Sequence, residues 1–105
     1  MAASSGQIPI VSLAAAVPER SRGAEGLAVG GDFVILDGQG QMLRGLNGTG
    51  AAVWELIDGR RPLGEIASEV ARRYQAPEAR VLEDVVGFAR ALAARGLIRF
   101  AEVGS

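Results

Sequence analysis

Between residues 26 and 46 the apolar positions fall into short strand-like runs. From residue 47 onward they recur on the helical period of 3.6. Phe33, Val34, Ile35 and Leu36 form a run of strand formers, and "DGQG" at 37–40 is a turn signal between it and a second run at 41–46. A further strand is predicted at 26–29, with Gly30 and Gly31 as the tight turn between. In the helical part, Asn47 or Thr49 can cap a first helix, because a short polar side chain accepts from free backbone N–H groups. Val53, Trp54 and Ile57 share its buried face, and Asp58-Gly59 ends it. Pro62 suits the first turn of a second helix, in which Leu63, Ile66, Val70 and Tyr74 recur at i, i+3, i+7 and i+11 beside Ala67 and Ala71. Pro77 opens a third helix with the stripe Val81, Val85, Phe88 and Leu92, flanked by Leu82, Val86 and Ala89. Gly96 stops it, and "LIRF" at 97–100 reads as a short extended tail that packs back. The predicted class is α+β: a three-stranded antiparallel sheet followed by three helices, in one small domain at 24–105. Residues 1–23 are small, polar and Pro-containing; they are expected to be a flexible N-terminal arm, with "PERSRG" at 18–23 as a linker.

Composition narrows the function more than it narrows the fold. A chain of 105 residues buries one small core and no large cofactor cavity. There is no Cys and no His, which excludes thiolate nucleophiles, disulfides, the usual zinc sites and histidine bases. Catalytic residues, metal ligands and a cofactor are therefore not expected. The net charge is −1 and every basic residue is Arg, a pattern that a GC-rich genome also produces. No apolar run approaches the ~20 residues of a membrane span. The run "IPIVSLAAAV" at 8–17 has no Lys or Arg before it, so it is read as a loose arm or an added strand instead of a signal peptide, and a cytoplasmic location is expected.

Several constellations could carry chemistry. "GLNGTG" at 45–50 could cradle a phosphate, but it lacks the GxGxxG and GKS/GKT patterns, and turn and cap chemistry explains it better. Glu83 and Asp84 are adjacent on a helix, diverge by roughly 100° and cannot share one substrate bond. Helices two and three with the hairpin as wing would make a winged-helix-turn-helix-like domain. A DNA reader, however, needs excess positive charge, and Arg80, Arg90 and Arg95 stand against Glu78, Glu83 and Asp84. Gly87 costs roughly 1 kcal/mol in a helix interior. Close packing against another helix explains it, and so does an open trough in which another backbone can lie.

The order of these pieces resembles the PqqD family, small peptide-binding domains also called RiPP precursor recognition elements. The motif here is Leu46-Asn47, then Ala51, Ala52 and Trp54, then residues 56–59; Glu65-Ile66 follow, then Asp84-Val85, Phe88 and Gly96-Leu97-Ile98. It spans residues 26–100. The resemblance implies a non-catalytic chaperone that binds the leader of a ribosomally made precursor peptide and presents it to a modifying enzyme, as in pyrroloquinoline quinone biosynthesis. That enzyme would be a radical-SAM protein, a leader peptidase or a cyclase. The leader would add as a strand to residues 41–46 and lie against the third helix. An edge strand offers backbone groups to almost any extended peptide, and pockets between strand and helix supply specificity. The expected contacts are Gln41, Met42, Leu43, Arg44, Gly45 and Leu46 on the strand. Arg80, Glu83, Asp84, Gly87, Phe88 and Ala91 are the expected contacts on the helix. Met42 and Leu43 would point to opposite faces, with Arg44 on the face of Met42, and Trp54 belongs to the core rather than to the contact. Neither nucleic acid nor membrane is an expected partner, and a homodimer is left open. The alternative is a winged-helix DNA-binding or structural protein-interaction domain.

Overall fold

The computed structural model describes residues 13–46 and 48–101. In chain order the elements are β1 (Pro18–Arg20), β2 (Glu25–Val29), β3 (Asp32–Leu36), β4 (Met42–Leu46), α1 (Gly48–Leu56), α2 (Leu63–Tyr74), α3 (Glu78–Ala94) and β5 (Ile98–Phe100). Strands β2, β3 and β4 form the expected three-stranded antiparallel sheet, in that order. The β2–β3 turn is the Gly30-Gly31 pair, and Gly30 sits at φ +62°, the left-handed value that primed hairpin turns begin with. The three helices follow.

The β3–β4 ladder is irregular. Ile35 pairs with Leu43 and Phe33 with Leu46, so Val34 alone stands opposite Arg44 and Gly45. This is a β-bulge on β4. Strict alternation, which would set Arg44 on the face of Met42, is interrupted by that extra residue. On the regular part, Ile35 is fully buried and Leu43 packs half-buried against the core. The other sheet face carries the cross-strand pairs Leu27–Val34 and Leu36–Met42, of which Leu27 and Met42 are exposed.

Beneath the sheet lies one core. Val53, Trp54 and Ile57 meet Leu63, Ile66 and Val70 of α2, and Val85, Ala89 and Leu92 of α3, with Leu97 and Ile98 closing it. Pro62 and Pro77 are the N-caps of α2 and α3, with extended backbone. Two stripe positions differ from expectation. Tyr74, the last residue of α2, is 50 % exposed, because the chain turns away at Gln75 with φ 53° before α3 can cover it. Thr49 lies inside α1 instead of capping it, and Asn47 is outside the described residues. Among the described residues no helix is long and apolar enough to cross a membrane.

The larger departure is the segment before residue 24. Residues 18–20, expected as linker, are β1, paired antiparallel with β5 in a separate two-stranded sheet. Leu13 is buried in the core and Pro18 is fully buried. Neither Pro62 nor Pro77 offers a side-chain cap. At α2 the arm supplies the missing acceptors: Leu63 N–H donates to the Ala16 carbonyl at 2.9 Å and Gly64 N–H to the Ala14 carbonyl at 2.8 Å. Ala101 N–H donates to Val17 O at 2.8 Å, and Arg99 pairs with Glu19 at 2.8 Å across the β1–β5 ribbon. Arg20 donates to the Trp54 carbonyl at 2.6 Å while its guanidinium lies 4.8 Å from the indole centroid. It closes the C-terminal end of α1 and roofs the buried tryptophan in one contact. The arm from residue 13 onward is thus part of the domain. Residues 1–12 are outside the described residues.

Candidate peptide-binding edge

β4 is one edge of its sheet, and no described strand pairs with its outer side. The turn before it is set by Asp37. One carboxylate oxygen, Oδ1, accepts from the N–H groups of Gln39 and Gln41, each at 2.8 Å, and Asp37 N–H donates to the Gln41 carbonyl at 3.0 Å. That turn fixes where β4 starts and which of its groups face β3. The 37–41 pair is thus closed by one backbone bond and one bond to the Asp37 side chain, and the ladder continues from it with Leu36 opposite Met42 and Ile35 opposite Leu43.

Of the strand residues expected to touch a peptide, Gln41 and Met42 are exposed and Leu43 is half-buried against the core. Arg44, Gly45 and Leu46 belong to β4 by backbone, and their side chains lie outside the described residues. On α3, Arg80, Glu83, Asp84, Gly87 and Ala91 are exposed, and Phe88 is half-buried on the core cluster. Helical spacing sets Arg80, Asp84, Gly87 and Ala91 in one row, with Phe88 at its inner flank. A Cβ built on Gly87 meets nothing within 4 Å. Close helix packing therefore does not account for this glycine: it opens onto an unobstructed surface.

Gln41, Met42 and Leu43 share a cleft with Asp37, Arg95 and Leu97. The start of β4 thus shares a cleft with the C-cap residue of α3. Arg80, Glu83, Asp84, Gly87, Phe88 and Ala91 do not line it; they lie further back along α3. Arg95 and Leu97 were missed from the sequence. The signal for Arg95 was present: it continues the row 80, 84, 87, 91 by one further step of four, immediately before the Gly96 stop.

The ion pairs within α2 gather on Glu69. Arg72 and Arg73 both pair with Glu69, at 2.5 and 3.1 Å, and these two arginines hold the Glu69 carboxyl below its ordinary pKa. Ser68 donates to Glu78, tying α2 to the first turn of α3. Among the described residues no group of three or more His, Cys, Asp or Glu is placed to hold a metal ion.

The family model for coenzyme PQQ synthesis protein D (PqqD) matches residues 32–98. No curated protein matches in sequence. Among solved structures, the chain is similar to the PqqD truncation of Methylobacterium extorquens PqqCD, described as a functional and stand-alone RiPP recognition element. Identity is 25%, the TM-score is 0.68, and the match covers 79% of this chain and 88% of that one. It also shares its fold with TbiB1, solved in complex with the TbiA(beta) leader peptide, at 24% identity and TM-score 0.67, covering 80% of this chain and 99% of that one. The matched segment holds the sheet's last two strands and all three helices, so the chain belongs to the PqqD family.

Proposed function

We infer that this chain is a recognition module that captures the leader of a ribosomally made precursor peptide as an added strand on β4. It then presents that peptide to a separate modifying enzyme and performs no chemistry itself. The observation that carries the reading is the open edge of β4: no described strand lies beyond it, and separately Gly87 leaves the exposed row of α3 unobstructed at its middle. Backbone pairing gives affinity to an extended chain, and the exposed side chains at the start of β4, Gln41 and Met42, meet its side chains. The absence of His and Cys from the sequence agrees with a binding role. The similarity to a stand-alone recognition element and to a leader-bound protein supports it further. The partner enzyme is a radical-SAM protein, a leader peptidase or a cyclase. Membrane and nucleic acid are not the partners this reading assigns: on α2, Arg72 and Arg73 stand against Glu65 and Glu69, without the excess positive charge that phosphate binding needs.

The test is a titration of the isotopically labelled protein with a synthetic leader taken from a precursor gene beside its own. Amide shifts should concentrate in 41–46 and along α3. Shifts confined to α2, or tight binding of duplex DNA at physiological salt with no peptide bound, would overturn the reading.

A further inference from the structure

Arg22, in the β1–β2 connection, and Arg95, at the end of α3, line one cleft together with Ser21, Asp37 and Gln39. Asp37 and Arg95 also line the cleft at Gln41–Leu43, so the two clefts run into one another. Arg20, Arg61, Arg72, Arg73 and Arg99 each have a partner for the side chain. Arg22 and Arg95 have no ion-pair partner among the described residues. The acid in this cleft, Asp37, already has Oδ1 committed to the N–H groups of Gln39 and Gln41. The cleft lining thus counts two arginines against one partly satisfied carboxylate. Such a cleft attracts an anion, and the fork of Arg fits a carboxylate. The adjoining walls, Met42, Leu43 and Leu97, are apolar.

We propose that the Arg22–Arg95 cleft is a carboxylate subsite at the end of the peptide groove, so that the peptides accepted here carry an Asp or Glu next to an aliphatic residue. The aliphatic side chain packs on the exposed Met42 at the mouth of the small Met42–Leu97 cleft, and the acid reaches the two arginines. This rests on the reading of β4 as the peptide-binding edge and adds a specificity determinant beyond the contacts expected at 41–46 and 80–91.

A display library of random short peptides tests it on the full chain. Selection on the wild type should enrich sequences in which an acidic residue keeps a fixed spacing from Leu, Ile, Val or Met. Selection on the double variant Arg22→Gln, Arg95→Gln, which keeps the aliphatic stems and whose fold is checked by circular dichroism, should retain the aliphatic preference and lose the acidic one. For an enriched peptide, Glu→Gln should weaken binding to the wild type about tenfold and leave binding to the double variant unchanged. Enrichment without an acidic preference, or an acidic preference that survives in the double variant, would overturn the subsite while leaving the peptide-binding edge intact. If the double variant does not fold, the single Arg22→Gln protein gives the same comparison at smaller amplitude. No enrichment of any peptide by the wild type would overturn the edge and the subsite together.

Discussion

Gly26 lies directly against Trp54. A Cβ at residue 26 would stand 2.6 Å from the indole Nε1 and 2.6 Å from Cζ of Phe33. Trp54 is almost wholly buried and capped by Arg20, so it cannot step aside. The tryptophan at the centre of the motif is thus a packing element whose space is kept free by a glycine on β2. Gly26→Ala should destabilise the fold by about 1–3 kcal/mol through overpacking. Chemical denaturation would show it as a lowered midpoint with unchanged slope. An unchanged midpoint would mean that the indole has room that this packing denies it.

Gly87 gives the opposite result. Its added Cβ is unobstructed, so Gly87→Ala should stabilise the protein by about 1 kcal/mol from helix propensity alone. In a domain of this size that raises Tm by about 4–8 °C. Gly87→Val should fold as well as the wild type yet bind leader about tenfold more weakly, because a branched side chain enters the trough. Arg72→Ala and Arg73→Ala should bind as the wild type does. Fluorescence anisotropy with a labelled leader makes the comparison.

The arm before β1 should behave as part of the core. Leu13→Ala should cost about 2–3 kcal/mol, the ordinary loss for a buried leucine. Deletion through Val17 should cost more, since it also strips the Ala14 and Ala16 carbonyls from the N-terminus of α2. Thermal unfolding of both variants tests this. A Tm equal to that of the full chain would restore the arm to a linker.

Asp58 should titrate low. Backbone N–H groups of Arg61 and Arg60 donate to its Oδ1, and the Arg61 guanidinium stands 3.3 Å from Oδ2; together they hold its pKa below the ordinary 3.8. A carboxyl depressed in the folded state adds stability above its unfolded pKa and loses it as pH falls through the folded value. The contribution is therefore complete at neutral pH and disappears in strong acid. Asp58→Asn should flatten that acid limb slightly, because the group is open to solvent and screened. NMR titration of the side-chain carboxyl gives the midpoint; a value at or above 3.8 would contradict the bonding.

Where the sequence was legible, local rules had long segments to act on. The period change near residue 47, the glycine turn at 30–31 and the proline starts at 62 and 77 all correspond to observed boundaries. What stayed hidden depends on partners far away in the chain. β1 has three residues, begins with proline and pairs with a strand about 80 residues on, so nothing local marks it as a strand. The stripe ending at Tyr74 was extended one turn too far, because periodicity does not reveal where a neighbouring helix stops covering it. The bulge at Arg44 and Gly45 is a property of the β3–β4 register and defeats simple alternation. For the peptide edge, the strand and the helix row could be read separately. That Arg95 and Arg22 meet at the edge's end could not, since that meeting is made by the chain crossing from β1 to β2.

The β1–β5 ribbon has a consequence for cooperativity. Its antiparallel register sets Pro18 opposite Phe100, so the strand before the three-stranded sheet is held by the strand after the last helix. Fraying of β5 would release β1, and with it the arm whose carbonyls hold the start of α2. Loss of order at one flank of the fold is thus passed to the other without crossing the sheet.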